Sequence, residues 1–196
     1  YFDTSGFSNE DMYYVELLKL LWGELDTARY SAEEVQSMVT EYIYSFAFDN
    51  LYPGSEAGKN HHPMMKIEWT GLTEDFQTSL ELLLELTGST DFSDSEKILE
   101  LIARYKDSYD LSRPSDPLTL ALDLAASYSS DSKAYNMAVR GQGFYHFLED
   151  IQNRLSSEEQ YEEQLNSRLT EISEKLVTRT NLIVVYAAPK DELDGI

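Results

Sequence analysis

The stretch that decides the fold is Phe2 to Ser31, FDTSGFSNEDMYYVELLKLLWGELDTARYS. Ser8 and Asp11 have the spacing of a capping box, in which each side chain accepts a hydrogen bond from the other residue's backbone N–H. Apolar residues then recur three and four apart, at Tyr14, Leu17, Leu18, Leu21 and Trp22. This spacing predicts an amphipathic helix over about residues 9–24. Because such a face cannot stay in water, we expect strands from later in the chain to lie beneath it.

Sequence patterns elsewhere predict a sheet built from both ends of the chain. Residues 1–3, the aromatic-rich residues 41–51 and residues 62–70 have strand character, and the last two segments form an antiparallel hairpin. The continuous apolar run NLIVVY, Asn181 to Tyr186, predicts a buried strand that returns to this sheet. The fold class is therefore predicted as α+β, with an antiparallel-rich sheet covered by helices.

Between the predicted hairpin and the C-terminal run, the period of the sequence is helical over about residues 73–177, which indicates a large all-helical insert. Further capping boxes are predicted at Ser31/Glu34, Ser93/Glu96 and Ser156/Glu159. We predict a single domain over residues 1–188 and a loose C-terminal tail over residues 189–196. The sequence opens without Met and directly in strand character, so we expect it to be a fragment of a longer chain.

Composition limits the possible partners. The 196 residues carry 36 acidic and 15 basic side chains, a formal net charge of −21. Nucleic acids and anionic membrane surfaces require clustered Lys and Arg and are excluded, whereas a cationic partner is permitted. The absence of Cys excludes disulfides, thiolate metal sites and cysteine nucleophiles, and it is expected of a cytoplasmic protein. No apolar run approaches the length of a membrane span.

One motif resembles a metal site. In His146-Phe-Leu-Glu-Asp150, His146 and Glu149 have the spacing of the H-x-x-E-H zinc motif, and Asp150 replaces the second His. Asp can bind zinc, but a third protein ligand is needed, and the competing interpretation is an ordinary helix among Phe144 and Phe147. His61 and His62 lie at a predicted junction of loop and strand, where neighbouring side chains would point to different sides. We therefore predict no catalytic residues and no metal ligands in this chain, and we assign no substrate-binding residue.

Three stretches carry a family resemblance. They are the opening stretch with its LDTARYS step (residues 25–31), KILELIARYKDSYD (residues 97–110) and GQGFYHFLEDI (residues 141–151). Together they resemble the third, non-catalytic "associated" domain of the presequence-protease branch of the pitrilysin/insulinase zinc metallopeptidases. One departure is Tyr42-Ile43-Tyr44, where members of the family often carry Gly-Gly.

The resemblance implies an enzyme of four domains, folded as two bowl-like halves around a chamber. It implies that the zinc cofactor and its H-x-x-E-H motif lie in the first domain, outside this chain. The chain itself would then form the chamber wall of a peptidase that degrades short unstructured peptides. Its partners would be the sister domains of the same polypeptide and a peptide substrate, and the acidic charge suggests the hypothesis that cationic peptides are preferred.

Two alternatives stay open at this point. The chain could be a stand-alone acidic helical module that binds a basic protein or peptide, or an independent metalloenzyme that uses His146 and Glu149. A longer parent chain carrying H-x-x-E-H upstream would favour the peptidase interpretation. Whether the chain is part of an enzyme is therefore decided outside these 196 residues.

Overall fold

The computed structural model describes residues 1–52, 62–112 and 117–189. The predicted tail, apart from Pro189, lies outside the described residues. The described elements, in chain order, are β1 (Phe2–Asp3), α1 (Asn9–Leu21), α2 (Ala32–Tyr42), β2 (Ser45–Leu51), β3 (Met64–Thr70), a 3-10 turn (Thr73–Asp75), α3 (Phe76–Gly88), α4 (Ser95–Ser112), α5 (Pro117–Ser127), α6 (Asp131–Arg140), α7 (Gln142–Ser157), α8 (Tyr161–Leu176) and a second 3-10 turn (Arg179–Asn181).

The sheet is antiparallel, with the strand order β1-β3-β2. β2 and β3 form the predicted hairpin, in which Phe48 lies opposite Ile67, and β1 pairs on the other side of β3 through Phe2 and Met65. β2 starts later than predicted because α2 continues to Tyr42. The α+β class is confirmed, with a small sheet and a large helical part.

Helix α1 follows the sequence pattern closely. The Ser8 hydroxyl accepts from the Asp11 N–H at 3.1 Å, and the Ser8 N–H donates to the Asp11 carboxylate at 3.0 Å, so the capping box is confirmed. The helix ends at Leu21, and two residues later Gly23 has a φ of 85°, in the left-handed region that favours glycine.

The apolar face of α1 lies at the centre of the main core. It packs with Phe2 and Met65 of the sheet, and the Trp22 ring lies 5.2 Å from the Phe48 ring. The prediction that strands lie beneath this face is thus confirmed, and helices α4, α6, α7 and α8 enclose the rest of it. At about 1.5–3 kcal/mol for each fully buried large apolar side chain, this face is a main source of stability.

Helices α7 and α8 close the other side of the core. All five residues of the predicted α8 stripe are buried: Tyr161, Leu165, Leu169, Ile172 and Leu176. α7 approaches α6 closely at Gly143, where a Cβ atom would lie only 2.7 Å from the Ala138 carbonyl oxygen. Glycine is therefore required for this turn between the two helices. Among the described residues, no helix has both the length and the apolar character that a membrane crossing requires.

Two predicted capping boxes are wrong. At the start of α4, Asp94 is the capping residue, because its carboxylate accepts from the Lys97 N–H at 2.9 Å. Ser156 lies within α7, where its hydroxyl donates to the Gln152 carbonyl at 2.7 Å. Helix α8 therefore begins only at Tyr161, without a side-chain cap. A Ser that the preceding helix can include, as α7 includes Ser156, does not by itself mark the start of a new helix.

The predicted buried strand at the C-terminus is also wrong. Leu182 forms a single antiparallel bridge with Phe2, and beyond it Val184 and Val185 are 70% and 71% exposed. The segment meets the sheet where it passes residues 1–3, through the Asn181 side chain at Asp3 and through the backbone at Tyr1 and Phe2, because β1 is just two residues long. The apolar run thus lies beside the sheet edge without being buried there.

Candidate functional site

The HFLED motif lies on the outer side of α7. The His146 imidazole Nδ1 is 2.8 Å from Glu149 Oε2, and both side chains are exposed. The other Glu149 oxygen faces Lys106 Nζ at 3.7 Å. Asp150 turns away toward Arg154, whose guanidinium lies 4.0 Å from its carboxylate. The hydrogen bond from His146, followed by the charge of Lys106, lowers the pKa of Glu149 below its ordinary value.

This donor set does not fit a zinc site. His146 and Glu149 pair with each other, and Asp150 lies beside Arg154. The three side chains therefore do not converge on one point, as zinc ligands must. Within the described ranges, no group of three or more His, Asp or Glu side chains is placed to hold a metal ion. His61 lies outside the described residues, and His62 is exposed just before β3. That the chain has no metal ligands and no catalytic residues stays a prediction.

A buried polar network, which the sequence analysis did not identify, lies between α1, β2 and α6. The Glu16 carboxylate accepts from Asn50 Nδ2 at 2.6 Å and from Arg140 Nε at 2.9 Å, and Lys19 Nζ contacts its other oxygen at 2.8 Å. Arg140 also donates to the Asn50 carbonyl at 3.2 Å. Glu16 and Asn50 are buried, so the network fixes α6 against the end of β2.

One signal in the sequence could have located this network. Glu16 stands between Val15 and Leu17, two residues that the structure buries completely. A carboxylate at such a position requires a partner, since an unpaired buried charge is costly. The pattern could not name that partner, because Arg140 lies 124 residues away.

A second ionic cluster joins the first and last long helices. Asp11, on α1, is hydrogen-bonded by the Arg168 guanidinium and by Lys175 Nζ at 3.2 Å, both from α8. Burial raises the pKa of Asp11, but the hydrogen bond from Ser8 and the charges of Lys175 and Arg168 outweigh it and hold the pKa below its ordinary value. The ionised form of Asp11 therefore stabilises the fold.

Asp11→Asn is expected to lower the free energy of unfolding by about 2 kcal/mol at pH 7, the range of charge-assisted hydrogen bonds. Since the pKa of Asp11 is lower in the folded state, the stability it contributes is present above about pH 4 and is lost as the pH falls through the folded-state pKa. The difference in the free energy of unfolding between the parent chain and Asp11→Asn should thus become smaller as the pH is lowered. Urea unfolding at several pH values measures it, with Glu163→Gln on the exposed face of α8 as the control. A difference that stays constant down to pH 3 would contradict the assignment.

Helix α5 presents an exposed apolar face. Leu118 and Leu122, four residues apart on one side of the helix, are 69% and 60% exposed, and Ala121 and Ala125 lie beside them. The helix is held to α6, where Lys133 pairs with Asp123. Large apolar side chains that cluster on a surface helix are typical of contact with another protein surface.

A groove lies at the sheet edge, between β3 and the C-terminal segment. It measures about 370 Å³ and runs between the last residues of β3 and the segment from Val185 to Pro189, with Tyr1 and Phe76 on its lining. The Phe76 and Tyr186 rings meet across it at 5.1 Å. The groove and the α5 face are therefore two surfaces with room for a further contact.

Comparisons with known proteins agree with the resemblance. Residues 1–151 match the family described as "Peptidase M-16C associated". The whole chain is 19% identical to Protein HypA of Clostridium perfringens (strain 13 / Type A), over 196 residues that make up 20% of that protein. The chain thus spans about a fifth of the length of this relative. The family match includes the opening stretch and the GQGFYHFLEDI helix that suggested the resemblance, and the chain belongs to the peptidase M-16C associated family, as the third, associated domain of the presequence-protease branch.

Proposed function

We propose that this chain is a non-catalytic, chamber-forming domain of a zinc-dependent peptidase that degrades short unstructured peptides. The observation that carries the proposal is the family match over residues 1–151, which gives the chain a peptidase-associated role. The proposal places the zinc and the hydrolytic residues in another part of the polypeptide. It rests in addition on the length of the relative, which leaves ample chain for sister domains.

The α5 face is the surface by which the domain would contact a sister domain. The contact would remove Leu118 and Leu122 from water. Burial of their apolar surface would stabilise the contact by about 25 cal/mol for each Å². In the full-length protein, we expect Leu122→Glu to lower the rate of cleavage of a quenched unstructured peptide at least fivefold, because a carboxylate would be forced into that contact.

Two control variants make this test specific. Leu84 on α3 is exposed to a similar degree, 55% against 60% for Leu122, so Leu84→Glu introduces the same chemical change elsewhere. It is expected to leave cleavage within about twofold, as is His146→Ala on the HFLED helix. Equal losses in Leu84→Glu and Leu122→Glu would contradict the proposed contact. A loss of activity and of bound zinc in His146→Ala would contradict the non-catalytic role.

The acidic surface suggests which peptides the chamber would favour. The exposed side chains of α8 include Glu162, Glu163 and Glu174. Two cations of this helix, Arg168 and Lys175, form ion pairs with Asp11. Such a field attracts cationic peptides and weakens as salt is added. Cleavage by the full-length protein should thus be faster for a basic peptide than for an acidic one of equal length, with the difference falling at high salt. Equal rates at every salt concentration would exclude this preference.

The net charge of −21 also favours a second candidate function, a stand-alone acidic module for a basic protein or peptide. The two candidates differ in what they require of the rest of the polypeptide. If the native full-length protein binds basic peptides without cleaving them and holds no zinc, the second candidate is supported and the first is excluded.

A further inference from the structure

The groove beside Tyr1 has the geometry of a strand position. β3 pairs with β2 along its whole length, up to Thr70, but β1 covers only Met64 and Met65 on its other side. On the far side of the groove, the chain beyond Leu182 is apolar, and Val184 and Val185 are exposed. The open edge of β3 and the C-terminal segment thus face each other across the groove, and β1 lies between them at one end.

The pairing registers on the two sides of β1 agree. Phe2 lies opposite Met65 on one side and opposite Leu182 on the other. Antiparallel pairing continues one residue at a time in opposite directions along the two strands. The residue immediately before Tyr1 would therefore lie between Ile67 and Val184, and the residue before that one between Glu68 and Val185. An extension of β1 would run straight along the groove.

The hydrogen bonds at Tyr1 show that this ladder has already begun. The Tyr1 amino group donates to the Ile183 carbonyl at 2.8 Å, and the Ile183 N–H donates to the Tyr1 carbonyl at 2.9 Å. Tyr1 and Ile183 are thus a hydrogen-bonded pair of an antiparallel ladder. Burial lowers the pKa of the Tyr1 amino group. A peptide N–H at this place would make the same hydrogen bond without carrying a charge into a partly buried position.

We infer that the residues that precede Tyr1 in the full-length polypeptide form a strand that lies in the groove. This strand would lengthen β1, complete a four-stranded sheet and cover the apolar run from Val184 to Tyr186. The registers favour this occupant over a peptide or a second copy of the chain, since only a covalent continuation of β1 is held in line with the groove. The chain spans 20% of Protein HypA, which leaves length for such a segment. The inference does not depend on the proposed peptidase role.

Disulfide trapping in the full-length protein tests the register. The residue before Tyr1 and Val184 would form a non-hydrogen-bonded pair, whose Cβ atoms are close enough for a disulfide, about 4.5–5.5 Å apart before adjustment. With a cysteine at that residue, Val184→Cys should yield at least tenfold more of the mapped intramolecular disulfide than Val185→Cys, whose side chain points to the opposite face of the sheet. Equal yields, or disulfides only between two molecules, would overturn the inference.

Amide hydrogen exchange of the unmodified full-length protein gives a second test that needs no variant. Because Tyr1 and Ile183 form a hydrogen-bonded pair, the next such pair would involve Val185. The Val185 N–H should thus exchange at least a hundredfold more slowly than an unstructured amide, independently of protein concentration and without added peptide. Fast exchange at Val185 would overturn the inference. Protection that arises only with an added peptide, or only at high protein concentration, would assign the groove to that other occupant and overturn it as well.

Discussion

Phe144→Ala is expected to lower the free energy of unfolding by about 3–5 kcal/mol, the usual cost of removing a buried phenyl ring. Phe144 is 1% exposed, and its ring lies 5.4 Å from that of Tyr105 and 6.1 Å from that of Phe147. The loss combines the transfer of the ring to water with a cavity that the surrounding helices close only in part, because α7 is already packed tightly against α6 at Gly143.

Urea unfolding of the chain measures this loss, and Tyr128→Ala is the matched control. Tyr128 is 86% exposed, so the removal of its ring should change the free energy of unfolding by about 0.5 kcal/mol or less. In a domain of this size each kcal/mol corresponds to about 2–4 °C in Tm, which places Phe144→Ala roughly 10 °C below the parent chain. Equal effects of the two substitutions would contradict the packing described for α7.

Arg140→Ala is expected to cost about 3 kcal/mol. The substitution removes the Nε–H donor to Glu16 and the donor to the Asn50 carbonyl, and it leaves the buried Glu16 carboxylate with Lys19 and Asn50 as its partners. Breaking one side of a buried ion pair typically costs about 3–5 kcal/mol, and we take the lower value because Arg140 is about one third exposed.

Arg104→Ala is the control for this second prediction. Arg104 pairs with Glu24 at 3.1 Å, but its side chain is 61% exposed, and an exposed ion pair contributes about 0–1 kcal/mol. The two variants thus remove the same group from a shielded and from an exposed pair. If Arg140→Ala proves no more destabilising than Arg104→Ala, the network between α1, β2 and α6 does not hold these elements together.

Local signals in the sequence predicted most elements. The boxes at Ser8 and Ser31, the apolar spacing of α1 and the stripe on α8 each involve residues a few positions apart, and the structure confirms them. The errors arose where a local pattern had two outcomes. Ser156 could start a helix or continue one, and α7 continued. The apolar run NLIVVY indicated a buried strand, whereas the structure leaves Val184 and Val185 exposed beside the sheet edge.

The polar contacts between distant elements could not be predicted. Glu16 on a buried face indicated that a partner was needed, yet nothing near it in sequence singled out Arg140 or Asn50. The same limit applies to the α5 face, where an apolar helix predicts burial and the structure leaves Leu118 and Leu122 exposed. Hydrophobic periodicity shows which surfaces need a partner, and the partner itself follows only from tertiary structure.

The ionic cluster at Asp11 has a consequence for the order in which the molecule can be assembled. Both cations that hold the start of α1 come from α8, and their separations from Asp11 along the chain are 157 and 164 residues. Contacts between residues so far apart in sequence form only after the chain between them has closed into a loop. At a synthesis rate of about 5–20 residues per second, the ribosome needs on the order of 10 s to reach α8 after α1 has emerged. During that time the leucine face of α1 lacks its last partner, so its exposed side chains are available to a chaperone.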